Sequence, residues 1–95
     1  MTLDVNHQLT LLHDLLDEHH VELDGQVAEY QQIKRLIKSM MANNSIQDEQ
    51  LAQLLPEIYN YGLKGESVQN QNEHISENKT NIEQWKSAIE NINLT

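Results

Sequence analysis

Residues 9–37 read LTLLHDLLDEHHVELDGQVAEYQQIKRLI. Within this stretch Leu9, Leu12, Leu16, His20, Leu23, Val27, Tyr30, Ile33 and Ile37 recur in steps of mostly three and four. That spacing belongs to a helix that buries one narrow seam against other helices. A second run has the same character: Val68, Asn72, Ile75, Asn78, Ile82, Trp85, Ile89 and Ile92. The two seams predict an all-α protein, either a small helical bundle or a long helical hairpin with a short, kinked middle helix.

The first helix is expected to open near Asn6 and close near Ala42-Asn43. Seven acids and no Lys or Arg occupy positions 1–29, and Lys34, Arg35 and Lys38 follow, which suits a helix dipole. Gly25 interrupts the run at a cost of about 1 kcal/mol against Ala in a helix interior. The seam keeps its phase from Leu23 to Val27, which favours one continuous helix of about 54 Å. Asp24-Gly25 as a turn is the alternative and makes four helices instead of three.

Asn43-Asn44-Ser45 reads as a connector, with Ser45 and Asp48 arranged as a capping box. The middle helix carries Leu51, Leu54, Leu55 and Ile58, and Pro56 inside it predicts a kink or break. Gly62 and Gly65 are expected to end it, with Leu63 closing a Schellman-type cap. A third helix is then expected from Glu66-Ser67 to about Asn93. Asn72 and Asn78 on its seam either fix register as buried amides or lie in solvent.

Ninety-five residues make one helical domain, 1–95, with a modest core. Apolar residues are 38% of the chain and aromatics 4%, with no Phe, both low for a globular composition. Fifteen acids against six bases give a formal charge of −9. Such a surface repels nucleic acid and anionic membrane, whose binders gain affinity by placing Lys and Arg on phosphates. Without cysteine there is no disulfide and no thiolate site. Met1-Thr2-Leu3-Asp4 does not read as a signal peptide and no window is apolar enough to span a bilayer, so the cytoplasm is expected. The three Asn-x-Ser/Thr triplets, at Asn43, Asn78 and Asn93, then reflect only the abundance of Asn.

His13, Asp17, His20 and Asp24 fall on one helical face, and His13, Asp17 and His20 could supply three ligands to Zn²⁺ or a similar ion. Such bundle sites need a second ligand set, for which His74 with Glu73 and Glu77 is the obvious source. The bland reading of the same face is a polar flank with His20 partly buried. No phosphate loop, nucleophile elbow or His-Glu-x-x-His occurs, which argues against catalysis, and no cofactor is implied. Lys34, Arg35 and Lys38 form the one basic patch, either a docking point for an acidic partner or a solvated helix end. Trp85, Ile89 and Ile92, with Ile37 and Met41 on the first helix, are interface candidates for a protein partner or a second copy. Core packing is the alternative for Trp85, and for Met40 and Met41 beside Ile37. Tyr59 and Tyr61 are expected over a helix end with their hydroxyls in water.

Arg35-Leu36-Ile37-Lys38-Ser39-Met40-Met41-Ala42-Asn43 has a further significance when taken with Asn6-His7-Gln8-Leu9, Ile58-Tyr59-Asn60-Tyr61-Gly62 and Gln84-Trp85. Together these segments resemble the YtzH-like family, small proteins of spore-forming Gram-positive bacteria. The resemblance spans most of the chain but rests on packing and capping residues, and it implies no reaction. It also implies cysteines near the position of Gly25, where this chain has Leu23-Asp24, so no thiol-based role carries over. The expected function is a non-enzymatic helical interaction or regulatory module, possible self-association included. The rival is a metal-binding helical protein, and a third reading is an acidic mimic of nucleic acid that occupies a basic partner.

Overall fold

In the computed structural model, which describes residues 5–22, 26–42 and 48–93, five helices and no strand occur among the described residues. They are α1 (Val5–Glu22), α2 (Val27–Ala42), α3 (Glu49–Gly65), α4 (Gln71–Glu77) and α5 (Lys79–Asn93). The all-α expectation holds, and the count of three or four helices is corrected to five.

The single long helix expected over residues 6–42 is two helices, α1 and α2. Gln8 Nε2 donates to Ser39 Oγ at 3.0 Å, whereas one straight helix would hold those residues about 46 Å apart. The molecule's longest extent is only 34 Å. The chain therefore reverses between Glu22 and Val27, although Gly25 itself lies outside the described residues. An unbroken seam phase was misleading because both arms of the hairpin bury their stripe in the same core.

The middle helix is neither short nor broken. Asp48 caps it, accepting from the Leu51 amide at 2.9 Å; Ser45 lies outside the described residues. The helix runs through Pro56, which leaves the Ala52 carbonyl without its usual amide donor. It also runs through Gly62 and Leu63, and Leu63 is exposed rather than closing a cap. The two glycines serve close approach instead. A Cβ on Gly65 would clash with the Tyr30 ring, and one on Gly62 would stand 3.0 Å from Lys34 Cγ and 3.2 Å from the Tyr30 carbonyl oxygen. The side-chain-free face of α3 thus lets α2 pack directly against it.

The third expected helix divides at Asn78. Asn70 caps α4 through the Glu73 amide, and Asn78 ends it while its carbonyl accepts from the Ile82 amide in α5. The Asn78 side chain donates to the His74 carbonyl and accepts from Asn81. Asn-rich sequence here is a helix stop and restart, not a register device. Asn72 is exposed.

α1 packs against α2 and α5, α2 against α3, and α3 against α5, giving a closed ring of four antiparallel helices. The short α4 touches α1 and α5. Leu9, Leu12, Leu16, Ile33, Ile37, Met40, Leu51, Ile58, Ile82 and Ile89 fill the centre. Where the helices converge, each contributes one ring: His19, Tyr30, Tyr61, His74 and Trp85. All five are buried. Tyr61 stacks on His74 with centroids 4.8 Å apart and lies within 6 Å of the other three. Tyr30 donates from its hydroxyl to Gln71 Oε1 at 2.6 Å, and Gln71 donates onward to the Gly65 carbonyl. His19 Nδ1 and the Tyr61 hydroxyl share a 2.8 Å hydrogen bond, while His74 Nε2 donates to the Tyr61 carbonyl at 3.2 Å. Burial, followed by the neighbouring Tyr30 hydroxyl and the Glu29 charge, holds the Tyr61 phenol far above its ordinary range, so it stays neutral.

Two outcomes follow from this packing. Gly65→Ala drives a methyl into the Tyr30 ring and should cost about 1–3 kcal/mol, lowering Tm by roughly 4–8 °C per kcal/mol at this size. Gly62→Ala, which meets a bendable Lys34 stem and one carbonyl oxygen, should cost less; circular-dichroism melts rank the two. Burial also lowers the His74 pKa below 6.5, against smaller raising effects from the Tyr61 carbonyl and Glu77. Below pH 6.5 the unfolded chain then takes up a proton at this position that the folded chain refuses. Stability is full above that pH and falls as pH drops toward the depressed folded value. Melts from pH 7.5 to 5.5 should show a steeper loss for the wild type than for His74→Gln.

Candidate interaction surface

The three candidate metal ligands face one neighbour, α5, and each meets a different side chain on it. His13 Nε2 donates to Glu90 Oε2 at 2.7 Å, Lys86 Nζ to Asp17 Oδ1 at 2.6 Å, and His20 Nε2 to Glu83 Oε1 at 3.0 Å. Spacing of four then three along α1 is answered by three then four along α5, as an antiparallel pair requires. The result is a polar ladder on the flank of the α1–α5 contact. Its hydrogen bond to Lys86, above all, holds the Asp17 carboxyl below 3.8, against a smaller desolvation effect. Among the described residues no group of three or more His, Asp or Glu side chains is placed to hold a metal ion. His74 is buried in the ring cluster, while Glu73 and Glu77 are exposed. Among the described residues, His13, Asp17 and His20 each pair with a different side chain of α5. Asp24 lies outside the described residues.

Of the residues expected at an interface, Ile37, Trp85 and Ile89 are buried in the chain's own core. Their seams are satisfied within one molecule, so those side chains do not present an apolar surface. The side chain of Ile92 lies outside the described set. Met41 differs: it is 49% exposed beside the fully buried Met40.

Met41 opens onto the outer side of the α2–α3 pair. There Lys38 and Met41 of α2 meet Pro56, Tyr59 and Asn60 of α3 around an open pocket of about 240 Å³ with a mostly apolar lining. α2 and α3 approach closely through Gly62 and Gly65, and beyond that contact their outer edges leave a groove. Tyr59 is half-buried along it, whereas Tyr61, two residues on, points into the core; the expectation that both hydroxyls face water fails for Tyr61. Lys38 and Tyr59 also line a second cleft, with Gln31, Lys34, Arg35 and Glu66. The two cavities are therefore neighbours that share the Lys38 and Tyr59 side chains. Lys34 is held by Glu66 at 2.7 Å. Among the described residues, Arg35 and Lys38 make no such ion pair, and both are exposed. The sequence shows the basic cluster plainly. It does not show Pro56 and Tyr59 beside that cluster, because their adjacency depends on the α2–α3 hairpin.

A family model described as "YtzH-like protein" matches residues 3–89. The chain belongs to the YtzH-like family. It is similar to "Uncharacterized protein YtzH" of Bacillus subtilis (strain 168), 37% identical over 90 residues that cover 95% of this chain and 97% of that relative. No solved structure matches it. The YtzH-like match spans all five helices except the last turn of α5, so the four-helix ring and both α2–α3 cavities lie within it. No helix among the described residues is long and apolar enough to cross a membrane.

The ladder generates a test of its own. Lys86→Met removes the hydrogen bond that depresses Asp17, so the Asp17 carboxyl should titrate closer to 3.8, read by carboxyl-carbon NMR. Asp17 is about half exposed, so the accompanying loss of stability should stay below about 1 kcal/mol. The Asp17 contribution is present above pH 3.8 and disappears as pH falls through its lowered folded pKa.

Proposed function

We propose that this chain is a non-enzymatic, cytoplasmic interaction module that binds a protein partner through the outer groove of α2 and α3. The observation that carries this reading is the apolar pocket around Met41, Pro56 and Tyr59 with Arg35 and Lys38 along its side. In a chain with net charge −9, such a basic, partly apolar strip stands apart from the surface around it. Exposed apolar surface beside fixed charge is the combination that lets a partner gain both burial and orientation. The pocket is also smaller than the roughly 300–1,000 Å³ of small-molecule sites, which disfavours a cofactor or substrate.

A photo-crosslinking amino acid placed at Met41, in cells that make the protein, should yield one discrete crosslinked species. The same label at Glu18, exposed on the acidic α1, should not. Equal crosslinking at both positions, or none at either, would show that the groove is not the working surface.

A further inference from the structure

The groove's chemistry narrows its occupant, on the reading that it is an interaction surface. We infer that it takes a short acidic segment of a different protein, one that inserts a single apolar side chain beside Met41 and sets carboxylates against Arg35 and Lys38. Three features lead there.

The apolar pocket holds about 240 Å³ and is lined by both helices. That is room for one aliphatic or aromatic side chain, not for a helix face with several anchors. Beside it, across Lys38 and Tyr59, lies a cleft of about 270 Å³ lined by Lys34, Arg35 and Lys38. Gln31 to Met41 spans about 15 Å along α2, a length that a segment of five extended residues covers. Glu66 neutralises Lys34 at the cleft's edge, so the charges offered to a ligand are those of Arg35 and Lys38. Two neighbouring cations select a segment with two or more carboxylates next to its anchor.

A second copy of the chain fits poorly. In a two-fold dimer the same patch meets itself, and that patch offers Arg35 and Lys38 no carboxylate beyond Glu66, which already pairs with Lys34. A head-to-tail contact, basic groove to acidic flank, supplies carboxylates but leaves another groove open at the end of every chain. Nucleic acid fits worse still, since two cations on a molecule of charge −9 release few counterions.

The test uses the full chain, immobilised, and a displayed library of random 12-residue peptides. Enriched peptides should be net acidic with one recurrent Leu, Ile, Met or aromatic residue. Their Kd should weaken at least tenfold for Arg35→Glu/Lys38→Glu and for Met41→Glu. It should also weaken as salt rises, since exposed ion pairs are screened. All three positions are exposed, and a melt identical to wild type checks that each variant is folded. Enrichment of neutral or basic peptides, affinity indifferent to the charge-reversed variant, or no enrichment at all would overturn the acidic occupant. So would salt-sensitive dimerisation in sedimentation equilibrium that Met41→Glu abolishes, or tighter binding of a 12-nucleotide single-stranded DNA than of the selected peptides. These outcomes are separate from the crosslinking result: a crosslink at position 41 with no acidic peptide selected leaves the interaction surface standing and removes only its ligand.

Discussion

Tyr61 is in ring contact with side chains from the other four helices, and the fold depends on that convergence. The core contains no Phe and is otherwise mostly aliphatic, so five rings supply much of the large buried volume at the end where α4 joins the ring of helices. Each ring, the Trp85 indole N–H included, also brings a polar atom into the buried interior, and Trp85 Nε1 has no hydrogen-bond partner among the described residues. Burial of such atoms is favourable only when they are hydrogen-bonded. Tyr30 through Gln71, His19 through Tyr61, and His74 through the Tyr61 carbonyl meet that condition. The same network explains why Gly65 is required: its carbonyl accepts from Gln71 while its bare Cα admits the Tyr30 ring.

The acid excess is handled by distribution. Across the α1–α5 contact opposite or complementary groups alternate, so Asp17 of α1 meets Lys86, and Glu83 and Glu90 of α5 meet His20 and His13. On α2 the basic cluster has one internal partner, Glu66, and two cations directed outward. Among the described residues, Arg35 and Lys38 thus stand without an ion pair beside an apolar pocket.

Much of this architecture was legible in the sequence. The seams identified the helices, and the aliphatic seam residues within the described chain are in the core except Val27, which is exposed, and Val68, which is half-buried. The exact face was harder. His20 sits on the heptad count, yet His19 is the fully buried histidine, because it follows the buried Leu15 and Leu16 by four and three residues on the same face of α1. Asn78 occupies a seam position by count and a helix junction in fact, since Asn competes for backbone hydrogen bonds where Leu would not. Gly62 and Gly65 have the local signature of a helix end, and only the neighbouring helix reveals that they make room for Tyr30 and Lys34. The mirror-image spacing of His13, Asp17, His20 and Glu83, Lys86, Glu90 was present in the sequence throughout. Reading one helix at a time turned half of it into a metal site. Only one wall of the groove could be read, Met41 and the basic cluster on α2, because Pro56 and Tyr59 on the other wall are about twenty residues away in sequence.

The ladder has a consequence for how members of the YtzH-like family can diverge in length. Its three rungs join residue numbers that each sum to 103, so α1 and α5 are locked in one register over two turns. Inserting or deleting a single residue inside either helix turns everything beyond it by about 100°, pointing the remaining rungs away from their partners and rotating Leu12 and Leu16 or Ile82 and Ile89 out of the core. Length changes are therefore compatible with this fold between its helices and not within these two, and an alignment that places a gap between residues 13 and 20 or 83 and 90 is misaligned there.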